Sequence, residues 1–93
     1  MDFEWDDAKD QSNRAKHGLS FEEAKSIFAD PDVLILHASR EEDGEDRLKA
    51  IGSIHERLFV VVFTERDQVK RIISARRINR SEERAYGDSK KQA

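Results

Sequence analysis

Residues 58–65, LFVVVFTE, decide how this chain folds. Valines and aromatics fill both parities of the stretch, and a strand apolar on both faces belongs in the middle of a sheet, covered on each side. Downstream, Glu65-Arg66-Asp67-Gln68 is a tight connection and VKRIISAR (69–76) returns beside the first strand. Upstream, a turn at His55-Glu56 leads back to RLKAIGSI (47–54), where Leu48, Ala50, Gly52 and Ile54 alternate onto one face. VLILH (33–37) precedes it, across the loop ASREEDGED (38–46). Short connections between successive strands predict an antiparallel meander.

The N-terminal third reads as helices. Asp6 opens DDAKDQSNRAKHG, with acids in its first turn and Lys16-His17 in its last, as the helix dipole prefers. Gly18 suits the left-handed position past a helix end. Ala8, Ser12 and Ala15, at i, i+4 and i+7, are the expected buried side, with Trp5 and Leu19 holding the two ends. Ser20 and Glu23 have capping-box spacing, and Phe21, Ala24, Ile27 and Phe28 share a face before Asp30-Pro31 ends this second helix. Phe3 and Trp5 alternate with acids and read as a short strand or as an anchor for the N-terminus. Asn79-Arg80-Ser81-Glu82 caps a short last helix that Gly87 ends, leaving residues 87–93 as a flexible tail. The expected fold is a single α+β domain over residues 1–93. Two N-terminal helices pack on a four-stranded, mainly antiparallel sheet, and a short C-terminal helix follows.

Ninety-three residues suffice for one modest core. No apolar run approaches the ~20 residues of a membrane helix, the acidic start is unlike a signal peptide, and without cysteine there is no thiol chemistry. A cytoplasmic protein with no membrane association is expected. The net charge of −3 conceals an asymmetry: residues 1–50 sum to −7 and residues 51–93 to +4. Taken alone, that pattern fits a polyanion partner for the second half or merely a soluble surface.

In order along the chain come FEWDDAK, NRAKHGLSFEEA, FADP, GEDR, IGSI, LFVVVFTER, RIISARR and SEERAYG. This ordered set, from about Phe3 to Tyr86, resembles BrnT, the ribonuclease toxin of a bacterial type II toxin–antitoxin system. The resemblance implies a RelE-like fold, RNA cleavage that inhibits translation and growth, and neutralisation by a BrnA-type antitoxin. That antitoxin would be a ribbon-helix-helix protein that carries the pair to operator DNA. Toxins of this kind are usually basic, whereas this chain is acidic, so attraction for RNA must come from a local patch.

Metal-free RNA cleavage needs a base for the 2′-hydroxyl, an acid for the leaving 5′-oxygen and cations around the phosphorane. His17 is the leading proton carrier, and it also reads as a cation placed against the helix dipole. His37 and His55 have no partner at a useful spacing, and no histidine pair has metal-ligand spacing, so neither metal nor cofactor is expected. In the strand 69–76, alternation puts Ile72, Ser74 and Arg76 on one face and Arg71, Ile73, Ala75 and Arg77 on the other. Arg76 is the first choice for holding phosphate, against a solvated edge or a salt bridge to Glu82 or Glu83. Arg71 and Arg77 read as RNA-backbone contacts or structural pairs. Tyr86 reads as a third catalytic or stacking residue, or as a cap on the sheet edge. Lys9 and Lys16, two turns apart, form a candidate basic strip. RNA would then lie between the first helix and the last strand. The competing reading is a non-catalytic partner that acts as co-repressor in a DNA-binding complex, its acidic loop 41–46 gripping a basic antitoxin segment.

Overall fold

The computed structural model describes residues 2–38 and 46–92. Residues 39–45, most of the expected acidic loop, lie outside the described residues. In chain order the elements are β1 (Asp2–Trp5), α1 (Asp7–His17), α2 (Phe21–Ala24) running on as a 3₁₀ turn (Lys25–Ala29), β2 (Leu34–His37), β3 (Leu48–Ile54), β4 (Arg57–Arg66), β5 (Val69–Arg77) and α3 (Arg80–Lys91). The sheet order is β1-β5-β4-β3-β2, which places the doubly apolar β4 at the centre. Phe59, Val61 and Phe63 face the core under α2, with Leu19, Ala24 and Ile27. Val60 faces the other way, towards Ile51 and Tyr86, with Leu58 and Val62 packed alongside. Both hairpins turn on two residues with positive φ, His55-Glu56 and Asp67-Gln68, the mirror-image turn geometry that matches strand twist.

Among the described residues the sheet has five strands, not four. β1 pairs parallel with β5, Asp2 opposite Val69 through Trp5 opposite Ile72, so the mixed sheet has one parallel edge. The aromatic anchor and the strand are the same feature: Phe3 packs on Phe28, Phe28 on Phe63, and Trp5 edge-on against Phe21. A four-residue strand with acids at alternate positions is weak locally and gains its place from these ring contacts.

The expected buried side of α1 is also corrected. Ala8, Ser12 and Ala15 are exposed, and Asn13 is the buried residue. α1 lies beside the edge of β5 that β1 leaves open after Ile72. Asn13 Nδ2 donates to the Leu19 carbonyl at 2.9 Å, and the Ala75 N–H donates to Asn13 Oδ1 at 3.0 Å. One amide therefore satisfies a strand-edge donor and an acceptor at the corner between the helices, and contact with a strand edge calls for hydrogen bonds rather than methyl groups. Asp10 adds a second tie, accepting the Phe21 N–H at 2.8 Å.

The capping boxes at Ser20–Glu23 and Asn79–Glu82 form as expected. After one α-turn the second helix tightens to 3₁₀, while still burying Phe21, Ala24 and Ile27. The last helix is longer than expected: it passes through Gly87 to Lys91, so the expected tail is largely helical. Glycine costs about 1 kcal/mol inside a helix, and tertiary ties outweigh it. Tyr86 donates to Asp30 Oδ2 at 2.7 Å, and Lys90 lies over the Tyr86 ring and 3.9 Å from Asp32. Asp30 also accepts the Ser53 and Asp32 N–H groups, and a Cβ on Gly52 would stand 2.9 Å from Ile27 and 3.0 Å from Asp30. That glycine lets the 3₁₀ turn close onto β3.

Asp30, through Tyr86, and Glu82, through Arg76, both fasten α3. Burial pushes the Asp30 carboxyl up, but hydrogen bonds from Tyr86 and two backbone N–H groups outweigh it and hold it below its ordinary value. Glu82 is held at about 2, chiefly by its bonds to Arg76 against the opposing effect of burial. Both folded pKa values lie below the unfolded ones, so their stabilisation is present above pH 4.5 and is lost as pH falls towards 2. The urea midpoint should fall steadily across that window, and Glu82→Gln should flatten part of the fall; an unchanged acid slope in the variant would refute the assignment to Glu82. Asn13→Ala should lower unfolding stability by roughly 2–4 kcal/mol, since each buried group left unpaired costs ~1–3 kcal/mol. Chemical denaturation followed by circular dichroism checks it.

Candidate nucleic-acid interface

Helical spacing puts Lys9, Asn13, Lys16 and His17 on one side of α1. Fastening Asn13 to the edge of β5 therefore brings the two lysines and the histidine to the same strand. Together with Ser12, Ile73 and Ser74 they line a shallow depression between α1 and β5. His17 is the last residue of α1, and Gly18, at φ 70°, turns the chain away from it. Among the described residues, Lys9, Lys16 and His17 make no side-chain hydrogen bond or ion pair, which leaves three donors facing solvent.

The strand beside them is not regular. Val62 pairs with Ser74 but Phe63 pairs with Ile72, so Ile73 is the extra residue of a β-bulge. The bulge breaks the expected face assignment. Ile72 and Ala75 now share the core side, while Ser74 and Arg76 lie opposite Val62 and Val60 on the side of α3. Lys49, Val62 and Ser74 form one row across three strands, and Ile51, Val60 and Arg76 form the next. The C-terminal helix covers the second row through Tyr86. The first row stays open as a depression lined by Ala38, Arg47, Lys49, Val62, Ile73, Ser74 and Arg76. The two depressions meet at Ile73 and Ser74, so a cationic surface straddles the bulge.

Arg76 does form the salt bridge that competed with a phosphate role, and its partner is Glu82. Nη1 donates to Oε1 at 2.8 Å and Nη2 to Oε2 at 2.7 Å, and Nη1 also reaches the Arg77 carbonyl at 3.2 Å. Hydrogen bonding to Glu82 raises the guanidinium pKa further above its ordinary value, so its charge is permanent. Of five N–H donors, Nε–H and the second Nη2–H have no partner among the described residues, and they form the lateral edge of the fork. A side chain 36% exposed leaves that edge open to a ligand.

The other candidates are placed elsewhere. Arg71 sits towards the β1 end of β5, 3.7 Å from Glu4. Arg77 pairs with Phe59, which puts it on the face opposite Arg76. Tyr86 is buried against Ile51 and Val60, its hydroxyl given to Asp30. Burial, and then the nearby Asp30, push the phenol up to about 12, a value unsuited to proton transfer near neutrality. Its place is that of a packing residue pinned to the sheet. Arg47, Lys49 and Ser74 were missed, and Glu82 was read only as part of a helix cap and as a salt-bridge partner for Arg76. The alternation of RLKAIGSI did place Lys49 opposite Leu48 and Ala50, and the meander order would have set it across the sheet from the last strand.

A family model described as ribonuclease toxin, BrnT, of type II toxin–antitoxin system matches residues 5–82. No curated protein matches the chain. The matched span takes in every residue lining the two depressions, together with Glu82 at its end. The chain belongs to the BrnT family of ribonuclease toxins of type II toxin–antitoxin systems.

Proposed function

We propose that the chain is a metal-independent endoribonuclease that works in the cytoplasm, stops translation and growth, and is neutralised by a BrnA-type antitoxin. The observation that carries the chemistry is the meeting of the two cationic depressions at the β5 bulge, one holding His17 and the other Arg76. The scissile phosphate lies over Ile73 and Ser74, with Lys9 and Lys16 along the backbone on the α1 side. His17 takes the proton of the 2′-hydroxyl as the bond from the 2′-oxygen to phosphorus forms. The lateral edge of Arg76 neutralises the phosphorane, and the bond to the 5′-oxygen then breaks, that oxygen taking a proton from the solvent both depressions admit. The products are a 2′,3′-cyclic phosphate and a 5′-hydroxyl. Positive charge gathered at one place lets an acidic chain bind RNA, because charges beyond a Debye length of about 8 Å are screened.

One observation favours the non-catalytic co-repressor: Glu82 already takes the whole end-on face of Arg76. In that reading the arginine is structural, and the toxin serves only to complete a DNA-binding complex with its ribbon-helix-helix antitoxin.

Induction of the wild-type chain in a bacterium should stop growth and deplete RNA, and co-expression of the adjacent antitoxin gene should restore growth. His17→Ala should lower cleavage by about 10²–10⁴-fold, the usual contribution of a positioned proton carrier. Arg76→Ala should abolish arrest, and added EDTA should leave cleavage by the purified chain unchanged. Equal toxicity of both variants would remove the site assignment, and operator binding without RNA loss would favour the co-repressor.

A further inference from the structure

Glu82 does more than a helix cap requires. In a capping box the third helical residue needs only an oxygen for the N-cap N–H, which glutamine supplies as well as glutamate. Here Oε1 does accept the Asn79 N–H at 2.9 Å. The same carboxylate, only 3% exposed, also takes both terminal nitrogens of Arg76 and, at 3.2 Å, the Lys49 ammonium. Two cations from different strands converge on one buried anion, and the trio keeps a net charge of +1.

We propose that Glu82 is a positioning residue that fixes Arg76 and Lys49 as a two-cation cradle for an RNA phosphodiester beside the bulge. The inference rests on the ribonuclease reading and extends it to Glu82 and Lys49. Long cationic side chains lose rotamer freedom when they grip a ligand, and holding them beforehand removes that cost from binding. The end-on grip of Glu82 on Arg76 also sets which edge is presented: Nε–H and the second Nη2–H are left parallel for two phosphate oxygens. Lys49 shares its row with Val62 and Ser74, so its ammonium lies over the depression that reaches the bulge. A lysine with three donors gives one to Glu82 and keeps two for the ligand. Glu82 is held at about 2, so it stays ionised and the cradle stays assembled wherever RNA is cleaved.

The test is titration of a fluorescent 2′-O-methyl oligoribonucleotide, which binds and cannot be cleaved, with the purified full chain over a series of salt concentrations. Lys49→Met should weaken binding roughly tenfold, as befits one lost charged hydrogen-bond donor. It should also reduce the slope of log K against log salt by about 0.7, the share of one cation on a single strand. Glu82→Gln separates positioning from plain charge by the sign of its effect. Removing a negative charge should tighten binding if only the net field matters, whereas loss of positioning should weaken it, again roughly tenfold. Binding by Glu82→Gln as tight as wild type, with cleavage of the ribose oligonucleotide intact, would overturn the proposal. So would a wild-type salt slope in Lys49→Met. That second variant leaves the Glu82–Arg76 pair in place and decides the matter if Glu82→Gln fails to fold. A wild-type chain that binds the oligonucleotide without cleaving RNA would refute the ribonuclease reading while the binding measurements still judged the cradle.

Discussion

The buried amide of Asn13 is the contact on which the arrangement of this molecule depends. A sheet edge must be paired, covered or left open to other chains, and β5 loses its β1 partner after Ile72. Asn13 meets the next edge donor, the Ala75 N–H, and at the same time holds the Leu19 carbonyl at the corner into α2. Both partners have fixed polarity, so the amide has one satisfying orientation. A helix with an almost wholly polar surface is thereby seated beside a strand rather than on a core. Lys9, Lys16 and His17 are delivered to that strand by helical spacing alone.

The β-bulge at Ile73 supplies the other half of the arrangement. An uninterrupted β5 would have carried Arg76 to the face of Ile72, under α2. The extra residue returns Ser74 and Arg76 to the side of α3, where Glu82 and Lys49 meet the guanidinium. Bulges often re-aim a side chain in this way. The consequence here is that the cations of α1 and those of the sheet come from opposite sides to one ridge. The net charge of the chain says little about such a place, because acids such as Asp6, Asp10 and Glu4 act elsewhere as a cap, a tie and a partner for Arg71.

Much of the fold was legible in the residues. The doubly apolar run 58–65 gave a central strand, alternation in 47–54 gave the correct core face, and both capping boxes formed where their spacing placed them. These are short-range rules, each settled by neighbours within a few positions. The first strand and the end of the last helix were harder to read, since Trp5 needs Phe21, and the turn beyond Gly87 needs Tyr86 on Asp30 and Lys90 near Asp32. Of the candidate site, helix periodicity grouped Lys9 with Lys16, and the structure adds His17 to the same side. The salt bridge weighed for Arg76 forms with Glu82, and Tyr86 packs on the sheet face rather than capping its edge.

What the sequence determined by itself was the four strands of the meander, the capped starts of the helices, the hairpin turns and the core face of β3, because hydrophobic period and turn chemistry are local. It also carried an ordered set of motifs sufficient to place the chain in its family. Only the tertiary structure decided that Asn13 is the buried residue of α1, that β5 is broken at Ile73, and that Arg76, Lys49 and Glu82 form one group. Each depends on atoms far apart in the chain: 62 residues separate Asn13 from Ala75, and 33 separate Lys49 from Glu82. A hydrogen bond to a strand edge leaves no periodic trace in the sequence, and a one-residue bulge reverses the faces that alternation assigns.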